Sequence, residues 1–307
     1  MLFADWCNKY FIVKKQKVKQ STWYNKYYYN YNRYVLPVFG GLQIEDIKPI
    51  ELELFFCSDG VKDKSSSVQE KLYSLLYGIF DKAYQNDIIA KNPMQAVELS
   101  EYKAVKQKRV YTQEQGDILF DFCKRHRHGA TVALLLKAGH RRGEALGLRH
   151  CDIDADNSII SVNQAIVEQS GRGVITSPKT KTSVRIQPVE KELIDLVLER
   201  AELGTGEKLL FPSTYGSPQS PHNWHNRRYV VLMRDFQREQ PNIPILNPHE
   251  LRHTCGTLLY RKGVDLRTIQ KFMGHASIEV TSKIYVHDDV EHMREALGFA
   301  PGLTTSI

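Results

Sequence analysis

The chain has 307 residues, enough for one or two domains, and its 42% hydrophobic and 25% charged content suits a globular protein with a buried core. A net charge of +7 and a pI near 9.0 favour a polyanionic partner, most often nucleic acid. No apolar run approaches the ~20 residues of a membrane span, and the start MLFADWCNKYF lacks a signal-peptide layout. The five scattered cysteines form no CxxC pair, which argues against a disulfide framework or a cysteine zinc site and fits a reducing cytoplasm.

Residues 1–34 carry seven Lys/Arg against one acid, Asp5, with Trp23, Tyr24, Tyr27, Tyr28, Tyr29, Tyr31 and Tyr34 among and after them. Lys17, Lys19, Lys26 and Arg33 are candidate phosphate contacts, and tyrosines can hydrogen-bond phosphates or stack. The same aromatics also suit a helix packed into a core. Ser21 or Thr22 is expected to cap that helix, which stops before Pro37 and the Gly40–Gly41 turn. DIKPIELELFF predicts a second helix with Pro49 near its start. Ser65–Ser67 can cap a third, carrying Val68, Leu72, Leu75, Leu76, Ile79 and Phe80 at helical spacing, with Asn92–Pro93 punctuating its end. A polar, basic linker follows over residues 99–109.

Beyond it, YTQEQGDILFDFCKR predicts a helix capped by Thr112, and TVALLLKAG a buried helix closed by Gly139. Ser158–Val162, Gly173–Thr176 and Arg185–Pro188 suit one small antiparallel sheet. Helices return at Lys191–Arg200 and dominate the rest.

Four motifs in this second part can carry chemistry. In AGHRRGEALGLRHCDID, Arg141 stands at a break between helical stretches, where a guanidinium can bind phosphate in bidentate fashion or pair with Glu144. In SPKTKTSVRIQP, Lys179 and Lys181 occupy an expected hairpin loop, where a lysine can enter a minor groove, donate a proton or stay solvated. In NPHELRHT, His249 and Arg252 share a helix face beginning at Asn247–Pro248. In KFMGHASIEVTSKIYVH, Gly274 permits a sharp turn, His275 follows it, and Tyr285 lies ten residues on.

Taken in order, Arg, Lys, His-x-x-Arg, His, Tyr resembles the tyrosine recombinase, or phage integrase, family over nearly the whole chain; HELRHTCGTLL and FMGHASIEVTSKIYVH are its most specific stretches. The resemblance implies a mainly α fold with a small antiparallel β-sheet. A helical core-binding domain (residues 1–98) and a mixed α/β catalytic domain (110–290), joined by the 99–109 linker, would close around DNA as a clamp. A tail over 291–307 would contact a neighbouring protomer. Arg141 and Arg252 would clamp the scissile phosphate, Tyr285 would attack it, and His249 and His275 would bind it and assist proton movement. Lys179, or Lys181 in its place, would protonate the leaving 5′-hydroxyl. Arg142 and Lys181 join the candidate DNA contacts. His140 stands where relatives often have an apolar residue, a departure that bears on local packing.

The chemistry implied is a 3′-phosphotyrosyl intermediate formed without metal or cofactor. The tyrosyl ester conserves the energy of the broken bond, so no ATP is needed, in keeping with the absence of GxxxxGK[ST]. The expected partners are duplex DNA at specific sites, a homotetramer on that DNA and accessory DNA-bending or direction-control proteins, in the cytoplasm at the nucleoid. The arm-binding domain of many mobile-element integrases is not expected. Three rivals remain. HELRH also matches the H-E-x-x-H zinc peptidase pattern, with His249 and His253 as ligands, Glu250 as base and His275 or Glu279 as a third ligand. A type IB topoisomerase shares the active-site chemistry, and a DNA-binding relative without catalysis would bind but form no adduct.

Overall fold

The computed structural model describes residues 1–18, 20–98, 109–169, 171–177, 184–202 and 204–275. The chain divides into two compact units, Met1–Gln107 and Lys108–Ile307, each with its own core.

The first unit is helical. Helix α1 (Phe3–Lys17) buries Phe3, Trp6, Cys7 and Tyr10 along one stripe, and Lys14, Lys15 and Lys17 oppose the negative end of its dipole. Residues 1–21 had carried no predicted element. The spacing 3, 6, 7, 10 is the signal for this helix, masked by the density of lysines.

Helix α2 covers residues 20–39 and contains two π-helical stretches, Trp23–Tyr28 and Tyr31–Val35. Thr22 has helical dihedrals and is no cap, because the chain break falls earlier, at the extended Val18. The helix also runs through Pro37 to Phe39 rather than stopping before it. Proline has no N–H to donate, and the wide turn just before it, with Leu36 N–H bonded to Tyr31 O, loosens the ladder where its ring must fit. Of the aromatics, Tyr27 and Tyr31 are core, while Tyr24, Tyr28 and Tyr29 are exposed.

Helix α3 (Pro49–Cys57) starts at its proline as expected and buries Leu52, Phe55 and Phe56. Helix α4 (Ser66–Tyr84) buries Leu72, Leu75, Leu76, Ile79, Phe80 and Ala83. Each large side chain here contributes roughly 1.5–3 kcal/mol of burial. The helix ends at Tyr84, well before Asn92–Pro93. Asp87, at φ 56, turns the chain, and Asn92 instead caps the 3₁₀ turn Pro93–Ala96.

In the second unit, α5 (Gln113–Arg125) opens on the expected capping box. Thr112 Oγ1 accepts from Gln115 N–H at 3.2 Å, and Thr112 N–H donates to the Gln115 side chain at 3.1 Å. Arg109, read from sequence as linker, docks on this unit by donating to Ile245 O at 3.0 Å and pairing with Glu250. Helix α6 (Gly129–Lys137) is buried at every residue from 129 to 136 and closes before Gly139, at φ 60. A Cβ on Gly139 would meet Met273 Sδ at 2.4 Å, so glycine is required there twice over. Helix α7 (Arg142–Gly147) follows at once.

Among the described residues the strands form two antiparallel sheets rather than one. The first contains β1 (Ile153–Asp154), β2 (Ile159–Val162) and β5 (Arg185–Pro188) in the order β1-β2-β5. The second is the hairpin of β3 (Ala165–Gln169) and β4 (Arg172–Thr176). Lys179 and Lys181 lie outside the described residues. The strands flanking them pair with other partners, so the expected hairpin between β4 and β5 is absent from the described strand pairing. Helices α8 (Lys191–Arg200), α9 (residues 221–239, with a π stretch at His225–Tyr229), α10 (Pro248–Arg261) and α11 (Leu266–Met273) are the remaining helices of four or more residues among the described residues of this mainly α unit.

Candidate active site

Helix α10 starts where sequence chemistry places it. Asn247 Oδ1 accepts from the backbone N–H groups of His249 (2.9 Å) and Glu250 (3.0 Å), and Glu250 returns a bond to Asn247 N–H at 2.7 Å. Those first-turn amides are therefore occupied, and anion binding at this end falls to side chains. Glu250 also pairs with Arg109 at 3.3 Å. A carboxylate committed to its own helix cap and to an arginine is poorly placed as the base of a zinc peptidase, which weighs against that rival. His249 packs edge-on against the buried His253, with ring centroids 4.5 Å apart.

Helix α11 ends at Gly274, whose left-handed backbone (φ 65) stops the helix and launches His275. The last carbonyls of a helix lack intrahelical partners and carry its negative dipole end. Here three successive ones each receive a different arginine. Phe272 O accepts from Arg185 Nε at 2.8 Å, Met273 O from Arg252 Nη2, and Gly274 O from Arg141 Nη2 at 2.9 Å. Arg252 also donates to Gly139 O at the end of α6, so one buried guanidinium ties two glycine turns together.

Glu144 on α7 lies behind all three. Its Oε1 meets Arg141 Nη1 at 2.6 Å, and its Oε2 lies 3.0 Å from Arg185 Nη2 and 3.8 Å from Arg252 Nη1. Burial works against its charge, but Arg185, Arg252 and Arg141 outweigh that and hold the carboxyl at about 2. With three guanidiniums and one carboxylate, this cluster has a formal charge of +2. Arg141 remains the accessible member, its side chain 42% exposed. Its pairing with Glu144, the plain alternative to phosphate binding, coexists with its place in the cluster.

His275 is buried, and burial followed by Arg252, Arg141, Arg185 and His249 pushes it down to about 3. It is thus neutral near pH 7, with one ring nitrogen donating and one accepting. His140, fully buried, bonds through Nε2 to Gln187 Oε1 at 2.7 Å, and Gln187 Nε2 donates to Ala138 O and Phe272 O. Burial, then Arg185, lowers His140 to about 3 as well. The unfolded chain takes up a proton near pH 6.5 that the folded His140 refuses. Stability from this group is therefore complete above that pH and declines as pH falls toward the folded value, by about 1.4 kcal/mol per pH unit per proton. His140→Gln should flatten the fall in urea midpoint between pH 6.5 and 5 by about one proton's worth; parallel curves for the two proteins would show that His140 is not held neutral.

The structure therefore brings Arg141, His249, Arg252 and His275 into one neighbourhood. Arg142 is exposed at the start of α7, while Lys17, Lys26 and Arg33 belong to the first unit, the first and last exposed and Lys26 with its Nζ 5.7 Å from the Tyr27 ring centroid. Lys19, Lys179, Lys181 and Tyr285 lie outside the described residues. Arg185 was missed from sequence. Its signal is a strand whose inward positions are Arg185 and Gln187, polar where alternation calls for apolar side chains.

Residues 109–292 match the phage integrase family, and residues 2–56 match the phage integrase N-terminal SAM-like domain. The chain belongs to the phage integrase family. It is a tyrosine recombinase, of the enzyme class that breaks and rejoins DNA. This integrase-family chain is 27% identical to an XerC-like tyrosine recombinase of Caldanaerobacter subterraneus over 90% of its own length and 76% of the relative's. It is 28% identical to the transposase of transposon Tn916 from Enterococcus faecalis over 67% of its length, spanning 54% of that protein. In fold it resembles the Tn1549 transposon integrase, solved with transposon right-end DNA, at a TM-score of 0.82 over 97% of this chain and 99% of that one, with 22% identity.

Proposed function

We propose that this recombinase cuts and rejoins duplex DNA at specific sites through a covalent bond between Tyr285 and a 3′-phosphate. The observation that carries the reading is the gathering of Arg141, Arg252 and His275 at the Gly274 turn, with Glu144 behind them. A phosphodiester under attack becomes a five-coordinate dianion, and a fixed positive hollow stabilises that charge where it develops. Arg141 and Arg252 hold the non-bridging oxygens. His249 donates to the phosphate, and neutral His275 can donate to it or accept the phenol proton.

The Tyr285 oxygen forms a bond to phosphorus as the bond to the 5′-oxygen breaks. Lys179, or Lys181 in its place, supplies the proton to that leaving oxygen. Rejoining is the reverse: a 5′-hydroxyl attacks the tyrosyl ester. The helical first unit contacts the duplex through Lys17, Lys19, Lys26 and Arg33, and the second contacts it through Arg142. A homotetramer brings two sites together, with residues 291–307 reaching a neighbouring protomer.

The direct test is to incubate the protein with genomic DNA, denature, and sequence whatever remains attached to protein. Adducts at a defined site are expected; reversible binding without an adduct would leave a DNA-binding protein and no more. Contact with about 6–10 phosphates also predicts that affinity falls about 10³–10⁵-fold between 50 and 200 mM salt. A flat response in a filter-binding titration would contradict the grip.

A further inference from the structure

We infer that Arg185 is a positioning residue for strand cleavage: it fixes the Gly274–His275 turn and takes a share of Glu144 that would otherwise fall on the phosphate-binding arginines. This rests on the cleavage reading above and extends it to a strand that the ordered catalytic motifs leave out.

Three observations support it. First, Arg185 lies on β5 with its side chain 5% exposed, so it stands behind the hollow rather than at its mouth. Its fork spans two elements, with Nε on Phe272 O at 2.8 Å and Nη2 on Glu144 Oε2 at 3.0 Å. A lysine has one ammonium and cannot occupy both ends of such a span.

Second, the guanidinium lies flush against the turn. A Cβ at Gly274 would approach Arg185 Nη1 to 3.0 Å and Cδ to 3.2 Å, so glycine at this position serves the arginine as well as the left-handed backbone. His275 is the next residue. With Arg252 on Met273 O and Arg141 on Gly274 O, Arg185 on Phe272 O completes a set of three that holds the end of α11 from β5, α10 and the start of α7.

Third, Glu144 is buried and caps the start of α7, accepting the Arg141 backbone N–H at 2.9 Å. A carboxylate so close to two phosphate-binding arginines competes with the phosphate for them. Arg185 lies nearer to Oε2 than Arg252 does, at 3.0 Å against 3.8 Å. It thereby lets the carboxylate remain as a cap while the cluster keeps a net positive charge.

The experiment uses the full chain and a nicked duplex built on the site recovered from the genomic adduct map. Single-turnover adduct formation is measured at saturating protein, and the dissociation constant separately. Arg185→Met should slow adduct formation about a hundredfold, the effect of a misplaced reacting group. Its affinity should stay within about threefold, because binding rests on many phosphates. Arg185→Lys keeps the charge and loses the fork. It should be impaired about tenfold, as for one lost charged hydrogen bond, and faster than the methionine variant.

Cleavage by folded Arg185→Met at the parent rate overturns the inference. So does a loss confined to affinity, or an Arg185→Lys variant indistinguishable from the parent. Should Arg185→Met fail to fold, the lysine variant decides alone, slow cleavage with normal binding supporting the role and parental cleavage ending it. Absence of an adduct from the parent protein itself would instead strike at the cleavage reading.

Discussion

Phenylalanine in place of Tyr285 should leave a protein that binds its DNA site with parental affinity and forms no covalent adduct. The substitution removes one oxygen and keeps the ring, so whatever packing the side chain makes is retained. A phenol with an ordinary pKa of ~10 is a weak nucleophile at neutral pH and needs a positive surrounding to be ionised in the transition state. The Gly274 turn gathers Arg141 and Arg252, and in the proposed reaction they supply that charge. Chain length permits the meeting, for Tyr285 lies ten positions after His275, and an extended chain covers roughly 3.3–3.6 Å per residue. Removal of the nucleophile in a hydrolase that works through a covalent intermediate costs on the order of 10⁶ in kcat. On a denaturing gel of a nicked duplex, the shifted band should therefore vanish. A band of parental intensity would place the nucleophile on another residue and detach the arginine cluster from the chemistry assigned to it.

What the sequence disclosed and what it hid divide along a physical line. Thr112, Asn247 and Gly274 were legible because a cap or a left-handed turn is settled by residues within a few positions of it. The family was legible through the ordered motifs, and the family match covers residues 109–292. The course of α2 through Pro37 was not, since a π turn changes the hydrogen-bond register without a residue signature. The strand Ala165–Gln169 was missed, and with it the second sheet, because strand pairing is decided by partners elsewhere in the chain. The same applies to Arg185. Its partners Glu144 and Phe272 are 41 and 87 residues away, so the polar inward positions of the strand mark it as unusual without saying what Arg185 meets. The zinc-like HELRH match illustrates the converse: two histidines at the right spacing, with the glutamate between them bound to Asn247 and Arg109.

Arg252→Ala and Arg141→Ala should lose cleavage to similar extents and stability to different ones. In the proposed reaction each removes a donor to a developing oxyanion, worth ~2.7–4 kcal/mol, or about 10²–10³ in rate. The cost to the fold depends on what each side chain leaves behind. Arg252 is 4% exposed and bonds Gly139 O and Met273 O, so its removal strands two carbonyls at buried helix ends, at about 1–3 kcal/mol each. Arg141 is 42% exposed, and the carboxylate it abandons, Glu144, keeps Arg185 and Arg252 as partners. Urea denaturation should thus rank Arg252→Ala well below Arg141→Ala, itself near the parent. A net stability of about 5–15 kcal/mol leaves room for the first loss at low temperature, where adduct formation by folded protein can be compared. Near-parental cleavage by either variant would remove that arginine from the phosphate. Equal destabilisation of the two would mean that the end of α11 is held by something other than the buried guanidinium of Arg252.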